Sequence, residues 1–139
     1  MKLANGLSFA AGRHNGVLAT QKRDGRPQLS NITYLLAEGV VSISITADRA
    51  KYVNLTRNPA ASLYVSRDDF WGYVVLEGVA ELTPLATRPD DATVNALVDL
   101  YRAIQGEHPD WDEYRGAMIV DRRCVVRLKP THAYGMLGD

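Results

Sequence analysis

Apolar and polar residues alternate without a break from Val41 to Thr46, with Val41, Ile43 and Ile45 on one side and Ser42, Ser44 and Thr46 on the other. That period of two predicts a strand with one core face and one row of small hydroxyls. A solvent face normally carries longer charged groups, so the hydroxyl row suggests a flat ligand lying against the strand. The stretch that follows reads as a helix, with Val53 and Leu55 apolar, Asn58 as a stop and Pro59 just beyond.

Upstream, Leu3 to Arg13 has loose helical spacing and predicts a short helix. Gly16 to Lys22 reads as a strand, and Asp24-Gly25 predicts a hairpin through a two-residue type I′ turn. The return strand is expected over Pro27 to Leu36, which brings Gln28, Ser30 and Asn31 near the Ser42 to Thr46 row. Downstream, Ala60 to Ser66 is a short strand, and Trp71 to Thr83 a long one with Gly78 available for a bulge. On it, Trp71 and Tyr73 share a face. Pro89-Asp90-Asp91 opens an amphipathic helix bearing Val94, Leu97, Val98, Tyr101 and Ile104 and closed by Gly106. A second, shorter helix starts at Asp110 in the manner of a capping box. Arg123 to Lys129 alternates as a strand, Pro130 interrupts it, and Ala133 to Gly135 adds a last short one.

Six or seven hairpin-linked strands with helices inserted late predict an antiparallel, barrel-like α+β fold. A doubly wound sheet is excluded, because βαβ alternation and the glycine-rich phosphate motifs are missing. The 139 residues are expected to form a single domain, residues 1–139. Sixteen basic residues balance sixteen acidic ones, so no global field points to nucleic acid or an anionic membrane, and any anion site must be local. No run approaches the roughly 18 apolar residues of a membrane span, and a cytoplasmic location is expected. The single Cys124 reads as a buried structural thiol, and His14, His108 and His132 lack metal-ligand spacing.

Arg49 and Lys51 fall in the first turn of the expected helix, where the macrodipole disfavours cations. A bound anion would remove the conflict, and backbone N–H groups with two cationic side chains make a phosphate site. The alternative is a solvated basic turn offset by Asp48. Neither a Ser/His/Asp set nor a carboxylate pair is visible, and no catalytic residue is assigned.

Gly16 to Thr20, Asp24 to Asn31, Arg49 to Leu55, Trp71-Gly72-Tyr73 and the Gly78 to Thr83 strand resemble the pyridoxamine-phosphate-oxidase-like split β-barrel flavoproteins. Within them they are similar to the branch that uses the deazaflavin coenzyme F420. The likeness extends through Leu100 to Trp111 and His132 to Gly135, and departs at the start, where the N-terminal helix is short. It implies an antiparallel split β-barrel with inserted helices and a homodimer with its cofactor at the subunit interface. It also implies an F420-dependent reductase transferring a hydride to a conjugated or unsaturated small molecule. Arg49 and Lys51, with Asn54 in the next turn, would bind the cofactor phosphate. Gln28, Ser30, Asn31, Ser44 and Thr46 would border the ring, and Trp71 and Tyr73 would reach across from the second protomer. His132 and Tyr134 would have a structural role or approach the substrate side. The competing readings are an enzyme using flavin mononucleotide (FMN) on pyridoxamine-phosphate-like substrates and a non-enzymatic cofactor- or tetrapyrrole-binding protein.

Overall fold

The computed structural model describes residues 1–138. Helix α1 (Leu3–Ala11) is followed by strands β1 (Asn15–Gln21), β2 (Pro27–Thr33), β3 (Leu35–Ala37) and β4 (Val40–Thr46). Then come α2 (Ala50–Arg57), β5 (Ala60–Ser66), β6 (Tyr73–Leu82), α3 (Ala92–Gln105), α4 (Trp111–Val120) and β7 (Arg123–Met136). The seven strands form one antiparallel sheet in the order β2-β1-β5-β6-β7-β4-β3, which curls until β2 comes up against β4. This is the expected α+β split barrel, with the split between edge strand β2 and β4.

Alternation along the strands builds the core. Leu18, Leu63, Leu76 and Ala133 lie in register across β1, β5, β6 and β7, all buried, and Val41, Ile43 and Ile45 of β4 join them. Helix α1 packs on β6 and β7, and Tyr34 donates its hydroxyl to the Ala10 carbonyl oxygen at 2.7 Å. Burial pushes the Tyr34 phenol up to about 12. A second, smaller core lies under α3 and α4, where Val94, Leu97, Val98 and Met118 pack with Val125. Cys124 is fully buried, and burial pushes its thiol up to about 11.

The local chemistry departs from expectation at four points. The Asp24-Gly25 loop is not a type I′ turn, because only Gly25 has positive φ (88°) and its N–H donates to Lys22 O. It is a wider turn with a left-handed glycine, and the two-residue turn with both φ positive is at Glu38-Gly39, between β3 and β4. The second strand ends at Thr33 instead of Leu36, since Tyr34 turns its N–H to the His14 carbonyl and its side chain into the core. Strand β6 begins at Tyr73, and Trp71 belongs to the preceding turn. Finally, Pro130 does not interrupt β7, because the β6/β7 register shifts at Glu77/Gly78 and Pro130 sits opposite Gly78 at that bulge.

Candidate functional site

A cleft of about 690 Å³ opens where the barrel is split. Strand β2 contributes Ser30 to Thr33, β4 contributes Ser44 to Thr46, and Arg49 and Lys51 stand at the start of α2. Arg123 opens β7, while α3 and α4 supply Leu100, Tyr101, Ile104, Gln105, Tyr114 and Met118. Among the described residues, three cationic side chains thus line the cleft and no carboxylate does.

Helix α2 explains part of this bias. Asp91 caps α3 by accepting from the Val94 N–H and Asp110 caps α4 by accepting from the Glu113 N–H, whereas the N-cap of α2 is Arg49, with no side-chain cap. Arg49 therefore sits one position outside the helix, with Lys51 inside its first turn. Its ladder starts with Tyr52 N donating to Arg49 O at 3.1 Å, so the positive dipole end lies beside Arg49 and Lys51. Burial, then Arg49, then Arg123 hold the Lys51 ammonium below the usual lysine range. Side-chain capping is kept at the starts of α3 and α4, while α1, whose N-cap is Lys2, shares the uncapped start of α2; what sets α2 apart is that its start lies in the cleft.

The hydroxyl row is partly engaged. Arg123 donates from Nη1 to Ser44 Oγ at 3.1 Å, and Thr46 donates to Asp48 Oδ1 at 2.6 Å. That bond from Thr46, ahead of Arg49 and Arg122, holds the Asp48 carboxyl below its usual range. Among the described residues two buried side-chain polar atoms lack a hydrogen-bond partner, Ser30 Oγ and Arg123 Nε, and both residues line this cleft. The nearest carboxylate to Arg123 Nε, that of Asp121, is 3.6 Å away, too far for a hydrogen bond. A ligand bearing both acceptors and donors fits such a lining.

Six residues expected at the site therefore meet in the cleft: Ser30, Asn31, Ser44, Thr46, Arg49 and Lys51. Four do not. Asn54 is turned inward and donates from Nδ2 to Thr20 Oγ1 at 3.1 Å, because a residue one turn after Ala50 points at β1. Gln28 pairs with Thr20 at the far end of β2. Trp71, 80% exposed, projects from a turn that the Arg67–Asp69 ion pair closes, and Tyr73 stacks on Tyr64 with ring centroids 5.5 Å apart. His132 and Tyr134 lie on β7 away from this cleft, His132 3.9 Å from Glu77. Sequence reasoning missed Arg123 and the whole α3–α4 wall. The Tyr101 and Ile104 stripe was legible only as core-facing, since periodicity cannot separate a core face from a cleft wall.

The fold and the site together define an antiparallel split barrel with a cationic cleft at its mouth. A family profile, pyridoxamine 5′-phosphate oxidase, matches residues 7–137, and the chain belongs to that family. It is similar in fold to Rv2991, a conserved hypothetical protein from Mycobacterium tuberculosis, with a TM-score of 0.74 at 24% identity over 99% of this chain and 85% of that one. An F420 reductase matches with a TM-score of 0.69 at 23% identity, covering 91% of this chain and 94% of its own. HutZ, the heme storage protein from Vibrio cholerae, matches with a TM-score of 0.71 at 18% identity over 99% and 98%. The family and its structural neighbours thus include both oxidoreductases and binding proteins. No helix among the described residues is long and apolar enough to cross a membrane.

Proposed function

We propose that this protein is a coenzyme F420-dependent oxidoreductase, transferring a hydride between the deazaflavin and a conjugated or unsaturated small molecule. The observation that carries the reading is the cleft itself, where the described residues place three cations and no carboxylate around an uncapped helix start. Arg49 and Lys51, joined by Arg123, would hold the phosphate. Ser30, Asn31, Ser44 and Thr46 would border the ring, the unpartnered Ser30 hydroxyl being free to donate or accept. When bound, the deazaflavin supplies two-electron hydride chemistry, and the chain's part is anchoring and orientation. The F420 reductase neighbour supports this cofactor, whereas the family's own description, pyridoxamine 5′-phosphate oxidase, favours the alternative of an oxidase of pyridoxamine-phosphate-like substrates, and the heme storage neighbour favours a binding role.

The functional unit is a homodimer. Val17, Tyr64, Val75 and Tyr134 form an apolar row in register across four strands, on the face opposite the core. Phe70 and Trp71, 75% and 80% exposed, extend that surface at the β5–β6 turn, so Trp71 and Tyr73 would act from the second protomer. Sedimentation at micromolar concentration should show a dimer, and a monomer alone would remove this assembly.

Oxygen discriminates the cofactors. A deazaflavin has carbon in place of the flavin's oxygen-reactive ring nitrogen, so reduced cofactor on this protein should persist in aerated buffer until an acceptor is added. Rapid reoxidation with peroxide formation would overturn the deazaflavin in favour of FMN. In calorimetry, Lys51→Ala should weaken cofactor binding by about 1.5–3 kcal/mol, the range for a hydrogen bond to a charged group, with the fold intact.

A further inference from the structure

Helix α2 crosses from β4 to β5, strands that lie apart in the sheet, and carries Arg49 and Lys51 at its β4 end, where no side chain caps it. Its other half is bonded to β1. Arg57 donates from Nη2 to Gln21 O at 2.6 Å, Asn58 from Nδ2 to Gln21 Oε1 at 2.7 Å, and Asn54 from Nδ2 to Thr20 Oγ1 at 3.1 Å. The helix is thus held by side chains at the end away from the cleft.

The third of these bonds differs from the other two. Thr20 and Asn54 are 2% and 6% exposed, and with Thr93 they are the buried polar residues among those described. Leu55, which is buried, and Tyr52, which is half-buried, press the same helix into the main core. Apolar contact is non-directional and tolerates a small slide or turn of a helix, whereas a hydrogen bond confines its atoms to a narrow range of distance and angle. Losing water on both sides leaves such a buried bond a modest net contribution to stability, while its geometry selects one arrangement. Thr20 is a firm reference point, because β1 is paired through it with Gln28 of β2 and Ala61 of β5. Asn54 follows Lys51 by just under one turn of about 3.6 residues, so a rotation of α2 that breaks the bond swings the Lys51 side chain as well.

We infer that the buried Thr20–Asn54 hydrogen bond is a positioning pair, which sets the rotation and register of α2 and thereby where Arg49 and Lys51 stand in the cleft. Neither residue lines the cleft itself. The inference rests on the anion anchor proposed above and adds what holds that anchor in place.

NMR of the Lys51 side-chain amine in the ligand-free protein gives the test. Thr20→Val keeps the shape of the side chain and removes the acceptor, so the Lys51 titration should move up toward the ordinary lysine value as the ammonium leaves its burial and the neighbouring Arg49 and Arg123. Thr20→Ser retains the hydroxyl and should titrate as the wild type does. With inorganic pyrophosphate as the probe, Thr20→Val should bind about tenfold more weakly, the scale of a small misplacement of binding groups, and Thr20→Ser should match the wild type. Gln21→Ala, at an exposed position, removes the acceptor of Asn58 without touching the core and should shift both readings the same way by less. A folded Thr20→Val protein of lower stability with an unchanged Lys51 titration overturns the inference, and so does an equal shift in Thr20→Ser. If Thr20→Val does not fold, Gln21→Ala decides, and an unchanged titration there is the overturning result. Lys51→Ala reads the anchor separately: pyrophosphate affinity that it leaves unaltered removes the anchor, while the Lys51 titration still decides the pair.

Discussion

Arg123 reaches across the start of the β4–β7 ladder and donates from Nη1 to Ser44 Oγ at 3.1 Å, which fixes a third positive charge beside Arg49 and Lys51. Arg123→Leu should therefore weaken binding of a phosphorylated cofactor by about 1.5–3 kcal/mol, read by calorimetry. Because Arg123 depresses the Lys51 pKa, the same change should move the Lys51 titration back toward the ordinary lysine value, seen by NMR of the side-chain amine.

Lys51 links pH to stability and to binding with opposite signs. Its folded pKa lies below the ordinary 10.5, so between the folded and unfolded values the unfolded chain binds more protons, and the ligand-free protein gains stability as pH rises through that window. Anion binding needs the charged form and should weaken over the same rise. Lys51→Met should accordingly raise or preserve the melting temperature of the ligand-free protein while lowering ligand affinity; a lower melting temperature with unchanged affinity would contradict both signs.

Gly78 has no room for a side chain. A Cβ there would lie 2.1 Å from the Lys129 carbonyl oxygen and 2.9 Å from Pro130 Cα, backbone atoms of the bulge that cannot swing aside. Gly78→Ala should destabilise the fold by about 1–3 kcal/mol, the range for overpacking, or more if the β6–β7 register gives way. Denaturant unfolding checks it.

Asp91 caps α3, and burial, which alone would raise its carboxyl, is outweighed by the N–H groups of Thr87, Val94 and Arg88, bringing it down to about 2. Asp91→Ala should cost about 1 kcal/mol at neutral pH. Since the folded pKa is depressed, that contribution is complete above the unfolded value near 3.8 and is lost as pH falls through about 2. The two proteins should converge in stability in strong acid.

The sequence by itself determined the core face of β4, β5 and β6, the caps that open α3 and α4, the stops that close α2 and α3, and that a cationic helix start breaks the dipole rule. Alternation, Asp91, Asp110, Gly106 and Asn58 are local signals, and each acts within a few residues of itself. Only the tertiary structure decided which of two polar faces became a cleft. Asn54 and Lys51 are three residues apart on one helix, yet the packing of α2 against β1 sends Asn54 to Thr20 and leaves Lys51 at the cleft. Arg123 joins Ser44 from 79 positions away because β7 pairs with β4, a register that no local pattern encodes. The α3–α4 aromatics became a wall because the barrel is split between β2 and β4, so that a stripe periodic enough to be core meets a gap there.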